Sequence, residues 1–307
     1  MSNQPLVVAI IVNWNQKNLL ELAIKSLLNS EYPNIKIIVV DNASKDGSVE
    51  MVRNFYSNVI LIDNNKNLGF SRGNNQGIEV ALRVGADFLF FLNNDATIAP
   101  RCLSSLVSIF QSDPKCGSAS PFILYADKSD TIWFGGGEVS LWSGIVKHLH
   151  IRKKMSDNYK NATTEYITAC AMMVRSETIQ QVGGFDERYA LYSEDVDLSL
   201  RIRKAGWSLN ITPGALAFHS VSASTGGGLS PFKAFYRARS TAILLRRWGP
   251  WWVWCVVPIF GTIGLLGITA GLIVKGQPNI IPALWQGIYR GLTGAKIPEK
   301  YQLEFTK

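Results

Sequence analysis

Cysteine and histidine are scarce, four and three among 307 residues. Cys102, Cys116, Cys170 and Cys255 stand far apart, without metal-binding or redox spacing, which argues against a disulfide framework and fits a reducing compartment. Glycine is missing after the first apolar run: "IIVNWNQKNLL" contains none, which disfavours a dehydrogenase-type dinucleotide fold. The opening "LVVAIIV" lacks a basic leader and a cleavage site, so it reads as a strand and not a signal peptide. Internal repeats, low-complexity stretches and nucleic-acid motifs are also missing. The net charge is +8, yet the basic residues are scattered apart from Arg152-Lys153-Lys154 and Arg246-Arg247. Such a balance calls for an anionic partner: nucleotide phosphates or an acidic lipid surface, ahead of nucleic acid.

What is present is a hydrophobic content of 47%, enough for a large core. Strand patterns at 6–12, 35–40, 59–62 and 87–92 alternate with helical patterns at 17–29, 46–56 and 73–84. That rhythm predicts an α/β fold with a parallel, doubly wound sheet. The pattern loosens from about 115 to 175, where "WFGGGEVS" reads as a glycine-rich loop and "EYITACAMMVR" as a strand. "GGFDERYALYSEDVDLSLRIRKAG" turns and then becomes a helix with Val196, Leu198, Leu200 and Ile202 inward. No charge occurs between Arg247 and Lys275, and Pro250 to Val274 is long enough to cross a bilayer at about 25 residues. Trp248, Trp251, Trp252 and Trp254 gather at one end, as aromatics do at a membrane interface. A buried core helix is the alternative, disfavoured by Gly261, Gly264, Gly267, Gly271 and Pro258. Basic residues flank both sides, so a re-entrant or in-plane segment competes with a single span. Two units are expected: 1–248, and a hydrophobic helical tail at 249–307 that attaches to membrane lipids.

"DFLFFLNNDATIAP" poses the functional question. A strand apolar on both faces stops on Asn93, Asn94 and Asp95, and in open α/β sheets ligands bind just beyond the carboxyl ends of strands. "VVDNASKDGS" likewise leaves a strand at Asp41, "NKNLGFSRGNNQG" precedes a helix and carries Arg72, and "YSEDVD" holds Glu194, Asp195 and Asp197. Singly, Asp41 could be a turn residue, Arg72 a surface charge, Asp195 a helix cap and His219 a solvated loop histidine. Their joint occurrence in this order is more specific.

Taken together, "VVDNASKDGS", "NLGFSRGNNQG", "FLNNDA", "GGFDERYALYSEDVDLSLRIRKAG" and "AFHSVSASTG" resemble family 2 inverting glycosyltransferases of GT-A fold. Within them the rhamnosyltransferase-like enzymes of cell-surface polysaccharide synthesis are most alike. The likeness runs over roughly residues 5 to 248. It implies a nucleotide-diphosphate sugar donor, on dTDP or UDP and with dTDP-rhamnose a candidate, and a glycan or lipid-linked acceptor; the apolar tail, independently, would set the catalytic domain against the cytoplasmic face of the cell membrane. A homo-oligomer is left open.

The resemblance also assigns residues. Asp41 would read the base, since an ionised carboxylate only accepts hydrogen bonds and suits the ring N–H of uracil or thymine. Asn13, Asn94 and Arg72 would line the nucleotide sugar, Arg72 with its fixed fork of donors. Asp95 would be the last acid of the Asp-X-Asp motif, binding Mn²⁺ or Mg²⁺ across the diphosphate. Asn93 replaces the first acid of that motif, and His219 in "AFHS" becomes the second protein ligand. An imidazole favours Mn²⁺ over Mg²⁺. Asp195 would be the catalytic base, with Glu194 the runner-up and Asp197 a brace. Tyr192 and the Gly183-Gly184 turn would shape the sugar pocket. Two alternatives compete: a processive polysaccharide synthase, which has glutamine where Leu244 stands in "LLRRW", and a nucleotide-sugar-binding scaffold without catalysis.

Overall fold

Strands and helices alternate through the first 92 residues at nearly the expected boundaries. In the computed structural model, which describes residues 4–221, 229–256 and 261–301, they are β1 (Val7–Asn13), α1 (Lys17–Leu28), β2 (Ile35–Asp41), α2 (Ser48–Phe55), β3 (Val59–Asp63), α3 (Phe70–Arg83) and β4 (Phe88–Leu92). All five residues of β4 are buried, as its unbroken apolar run requires. Helix α1 buries Leu20, Ala23, Ile24 and Leu27, one stripe at helical spacing. Helix α3 lies very close to β1: a Cβ added at Gly77 would meet the Ile10 side chain at 2.4 Å. Glycine is needed there for contact, not for conformation.

The second half comprises β5 (Ala96–Ile98), α4 (Cys102–Ser112), β6 (Cys116–Tyr125), β7 (Lys128–Phe134), β8 (Gly137–Ser140), β9 (Ile145–His148), β10 (Ala162–Thr163), β11 (Ala171–Arg175), α5 (Ser176–Val182), α6 (Glu194–Lys204) and β12 (Ser208–His219). The main sheet runs β10-β12-β6-β11-β4-β1-β2-β3, with β5 on β12 and β7 on β6. Strands β1 to β4 pair in parallel, but β11 is antiparallel to both β4 and β6. The expectation of a mostly parallel sheet is therefore corrected to a mixed one. The chain reaches β11 through hairpins rather than a crossover helix, so it can enter from the opposite end. "WFGGGEVS" is not a simple loop, since its ends belong to β7 and β8. Of "EYITACAMMVR" only Ala171–Arg175 is strand, because residues 166–170 turn toward α6.

Helix α7 (Pro231–Trp248) follows, capped by Ser230, whose hydroxyl accepts the Lys233 N–H. Beyond it lie α8 (Val253–Val256), α9 (Thr262–Val274) and α10 (Ile281–Thr293). Among the described residues no helix is long and apolar enough to cross a membrane. Helix α9 has 13 residues, about 20 Å of rise against the roughly 30 Å of a hydrocarbon core. Residues 257–260, with Pro258, fall outside the described residues, as does the 222–226 end of "AFHSVSASTG". Helix α10 packs backbone-close on α7. A Cβ added at Gly287 would approach the Phe235 carbonyl oxygen to 2.3 Å, and one at Gly291 the Arg239 carbonyl oxygen to 2.4 Å. Helix α9 exposes Ile263, Leu266, Ile268, Ile273 and Val274.

Candidate active site

Parallel register sets Asn13 beside Asp41 at the carboxyl ends of β1 and β2. Asn13 Nδ2 donates to Asp41 Oδ2 at 2.9 Å and to Ser44 Oγ at 3.2 Å, while the Ser44 backbone N–H donates to Asp41 Oδ1 at 2.7 Å. Asn94 Nδ2 donates to Asn13 Oδ1 at 2.9 Å. One chain of hydrogen bonds thus ties the ends of β4, β1 and β2. The loops around it carry left-handed residues, Asn15 (φ 51) and Ala43 (φ 62). Alanine has no side-chain bond to offset that conformation, so the network holds it there. Asp41 is fully buried and both oxygens are engaged within the protein. Arg72 is exposed in the first turn of α3, with no hydrogen bond or ion pair to any described residue.

The second cluster forms where β5 pairs antiparallel with β12. Ala96 is the register partner of His219, and the Ser220 N–H donates to the Asp95 carbonyl oxygen at 2.9 Å. His219 Nε2 thereby comes to 3.2 Å from Asp95 Oδ1, both side chains being nearly closed to solvent. The Trp133 ring abuts the imidazole edge-on with centroids 4.4 Å apart. Burial alone would lower the His219 pKa, but the neighbouring Cys170 sulfur and Asp95 carboxylate raise it to about 10.

An imidazole nitrogen and a carboxylate oxygen converging on one buried spot suit a divalent cation. Among the described residues no group of three or more His, Cys, Asp or Glu could hold a metal ion. Asp95 and His219 alone would leave most coordination positions to substrate oxygens and water.

The third cluster starts α6. Two consecutive residues, Tyr192 (φ 67) and Ser193 (φ 65), are left-handed, which turns the chain sharply into the helix. Asp195 Oδ1 accepts the Val196 N–H at 2.8 Å and Oδ2 the Ala169 N–H at 3.2 Å. Glu194 is buried, and its Oε2 has no hydrogen-bond partner. Burial, and secondarily the Asp195 charge, push Glu194 up to about 8. Burial also raises Asp195, against the N–H groups of Ala169 and Val196 that favour its charged form. Of the two, only Asp195 has backbone N–H groups on both carboxylate oxygens, and these favour its charged form. Asp197 is wholly buried and braces α6, accepting from Arg201 Nε at 2.8 Å and Trp248 Nε1 at 2.9 Å.

The start of β11 links the last two clusters. The Asn93 N–H donates to the Cys170 carbonyl oxygen at 2.9 Å, and Ala169 binds Asp195. Ser44, Ala169, Cys170 and Trp133 were not singled out in the sequence. Ser44 alone had a local signal, a hydroxyl three residues after Asp41 in a turn, whereas the others enter through strand pairing. The Gly183-Gly184 turn packs on α3, where Asn75 Oδ1 accepts the Phe185 N–H at 2.8 Å. A cavity of about 720 Å³ lies elsewhere, between the β8–β9 hairpin and the α6–β12 turn, and none of these carboxylates lines it.

Comparison with known proteins identifies the family and the fold. The family model described as Glycosyl transferase family 2 matches residues 8–183, over half the chain. The N-acetylglucosaminyl-diphospho-decaprenol L-rhamnosyltransferase of Mycobacterium tuberculosis (strain ATCC 25618 / H37Rv) is 28% identical over 271 residues, covering 81% of this chain and 86% of that protein. The dTDP-rhamnosyl transferase RfbF of Shigella flexneri is 25% identical, covering 78% and 80% respectively. Among solved structures, the mannosyltransferase PcManGT from Pyrobaculum calidifontis, in complex with GDP-Man and Mn²⁺, superposes with a TM-score of 0.57 at 16% identity, over 96% of this chain and 89% of that one. That likeness concerns the fold.

Proposed function

The chain belongs to glycosyl transferase family 2 and is a glycosyltransferase, and on that premise we propose that it transfers one sugar, with inversion, from a nucleotide-diphosphate sugar to a lipid-linked glycan. The donor we favour is dTDP-rhamnose, because relatives named for rhamnosyl transfer align over most of the chain. The observation that carries the reading is the carboxylate pair at the start of α6, with Asp195 tied through residues 169–170 to the Asp95–His219 corner.

In the mechanism, Asp195 accepts the proton of the acceptor hydroxyl as its oxygen bonds to the anomeric carbon. The bond from that carbon to the diphosphate breaks on the opposite side. Glu194 stays protonated beside Asp195, which keeps a second negative charge away from the base. Asp95 and His219 would hold a divalent cation, Mn²⁺ by preference. Bound there, the ion would offset the charge of the departing diphosphate. Arg72, without a partner among the described residues, lies against the nucleotide. Asp41 reads the base once the Ala43–Ser44 turn yields, with Asn13 and Asn94 holding its orientation. Residues 1–248 form the catalytic unit. The exposed apolar side chains of α9 and the tryptophans near Trp251 rest in plane on the cytoplasmic face of the membrane.

A processive synthase fits less well, since Leu244 is wholly buried and presents no side chain to a substrate. The test is a thermal-shift screen with Mn²⁺. dTDP-rhamnose should stabilise the protein more than UDP-hexoses or GDP-mannose. Stabilisation by GDP-mannose alone would overturn the donor assignment, and donor binding without turnover on any acceptor would favour a scaffold.

A further inference from the structure

Five arginines, Arg188, Arg239, Arg246, Arg247 and Arg290, line one cleft of about 330 Å³ where α7 meets α10. Their counter-ions are unevenly shared. Arg188 and Arg247 both pair with Asp186, and Arg247 also reaches Asp197 at 3.0 Å. Arg239, Arg246 and Arg290 donate only to carbonyl oxygens, those of Arg188, Leu292 and Lys296. Among the described residues none of these three has a carboxylate partner, and the buried Arg239 Nε has no acceptor.

Close helix packing forces this convergence. Gly287 and Gly291 let α10 lie against the α7 backbone, bringing Arg290 toward Arg239 and Arg246. Guanidiniums gathered without acids favour an anion with several oxygens, which their planar forks bind in pairs. Three cations lacking carboxylates match a multiply charged diphosphate better than the single charge of a phosphodiester headgroup. The flank of the cleft suits a lipid, since Tyr289 and Leu292, beside Arg290 on α10, are exposed.

The cleft also adjoins the catalytic loop. Arg239 holds the Arg188 carbonyl and Ser240 the Leu191 carbonyl, in the segment leading to Asp195. Arg247 grips Asp197, two residues beyond Asp195.

We propose that this arginine cleft is the acceptor's anion subsite and receives the diphosphate of a lipid-diphosphate-linked glycan. The proposal rests on the transferase reading above and adds how the acceptor is held.

The test compares full-length wild type with Arg239→Gln/Arg290→Gln and Arg239→Lys/Arg290→Lys. Two acceptors bearing the same sugar are used, a prenyl-diphosphate glycoside and an uncharged alkyl glycoside. Wild type should prefer the diphosphate acceptor in kcat/KM. The Gln pair should lose about tenfold or more of that preference, mainly through KM, as expected when charge-assisted bonds are removed. The Lys pair should fall between. Inorganic pyrophosphate should raise the melting temperature of wild type and not of the Gln pair, a readout that needs no transfer activity. Vesicle sedimentation distinguishes the sources of phosphate. Binding to phosphatidylglycerol vesicles should be the same for wild type and the Gln pair. Weaker vesicle binding with an unchanged acceptor preference would make the cleft a headgroup site and overturn the proposal. An unchanged preference together with an unchanged pyrophosphate shift would overturn any anion site. Absence of transfer to both acceptors, with the pyrophosphate shift intact, would instead count against the proposed function.

Discussion

Replacing Asp195 by asparagine removes a charge while keeping nearly the same shape. One of its two acceptor bonds, from Val196 at 2.8 Å or Ala169 at 3.2 Å, survives on the amide oxygen. The other N–H then faces an amide donor, a loss of about 1 kcal/mol. Loss of the base should be far larger, about 10²–10⁴-fold in transfer, or roughly 3–5 kcal/mol in the barrier. Donor affinity should stay within about twofold, because the base acts on the acceptor. Glu194 will respond too. Its pKa of about 8 reflects burial first and the Asp195 charge second. In the variant the second cause is gone, so Glu194 ionises at lower pH, and burial still holds it above the ordinary carboxyl range. Residual activity should therefore follow an acid limb belonging to Glu194. The assay is initial rate at saturating donor from about pH 5 to 9, with donor affinity measured separately by calorimetry. A variant retaining more than about a tenth of wild-type turnover at every pH refutes Asp195 as the base.

Glu194→Gln should keep most transfer and alter stability. The folded pKa, about 8, lies above the ordinary value of 4.5, so the native state holds the extra proton between them and stability falls as pH rises through that window. Urea melts at the two ends should show the decline, up to about 1.4 kcal/mol per pH unit, in wild type only; equal slopes in both proteins would contradict a buried, protonated Glu194. A chelator should stop turnover and Mn²⁺ restore it best, with Asp95→Ala or His219→Ala raising the metal concentration required. Full activity in chelator removes the cation from the mechanism. Gly287→Leu places a side chain where a Cβ already meets the Phe235 carbonyl oxygen at 2.3 Å. It should lift α10 from α7 and cost about 1–3 kcal/mol in thermal unfolding; an unchanged melting curve would mean that the two helices do not pack in solution.

The N-terminal half was legible because each element there carries its own local period. The β4 run and the α1 stripe announce a covered strand and a half-buried helix without reference to anything distant. The candidate site was legible as a set of residue types, not as contacts. Nothing local says that Asp41 would be closed off by Asn13, or that Ala169 would hold Asp195 through a backbone N–H. Those contacts depend on pairings between distant strands, β1 with β2 and β11 with β4. The direction of β11 was missed for the same reason, since an apolar strand looks alike run forwards or backwards. In the tail, lack of charge marks an apolar segment without saying what covers it. Beyond it α10 returns to α7 through a glycine seam that composition alone does not distinguish from a lipid-facing one.

The antiparallel seating of β12 on the three-residue strand β5 has a consequence for biosynthesis. Asp95 emerges from the ribosome long before His219, with about 120 residues between them, and their approach awaits the last strand of the sheet. At synthesis rates of about 5–20 residues per second, that gap lasts roughly 6–25 seconds. During it a nascent chain carries the first carboxylate of the corner and no partner for it. On the proposed cation role, the capacity to hold a metal would mark completion of the sheet, and a chain truncated before β12 would lack half of that corner however well its first half had folded.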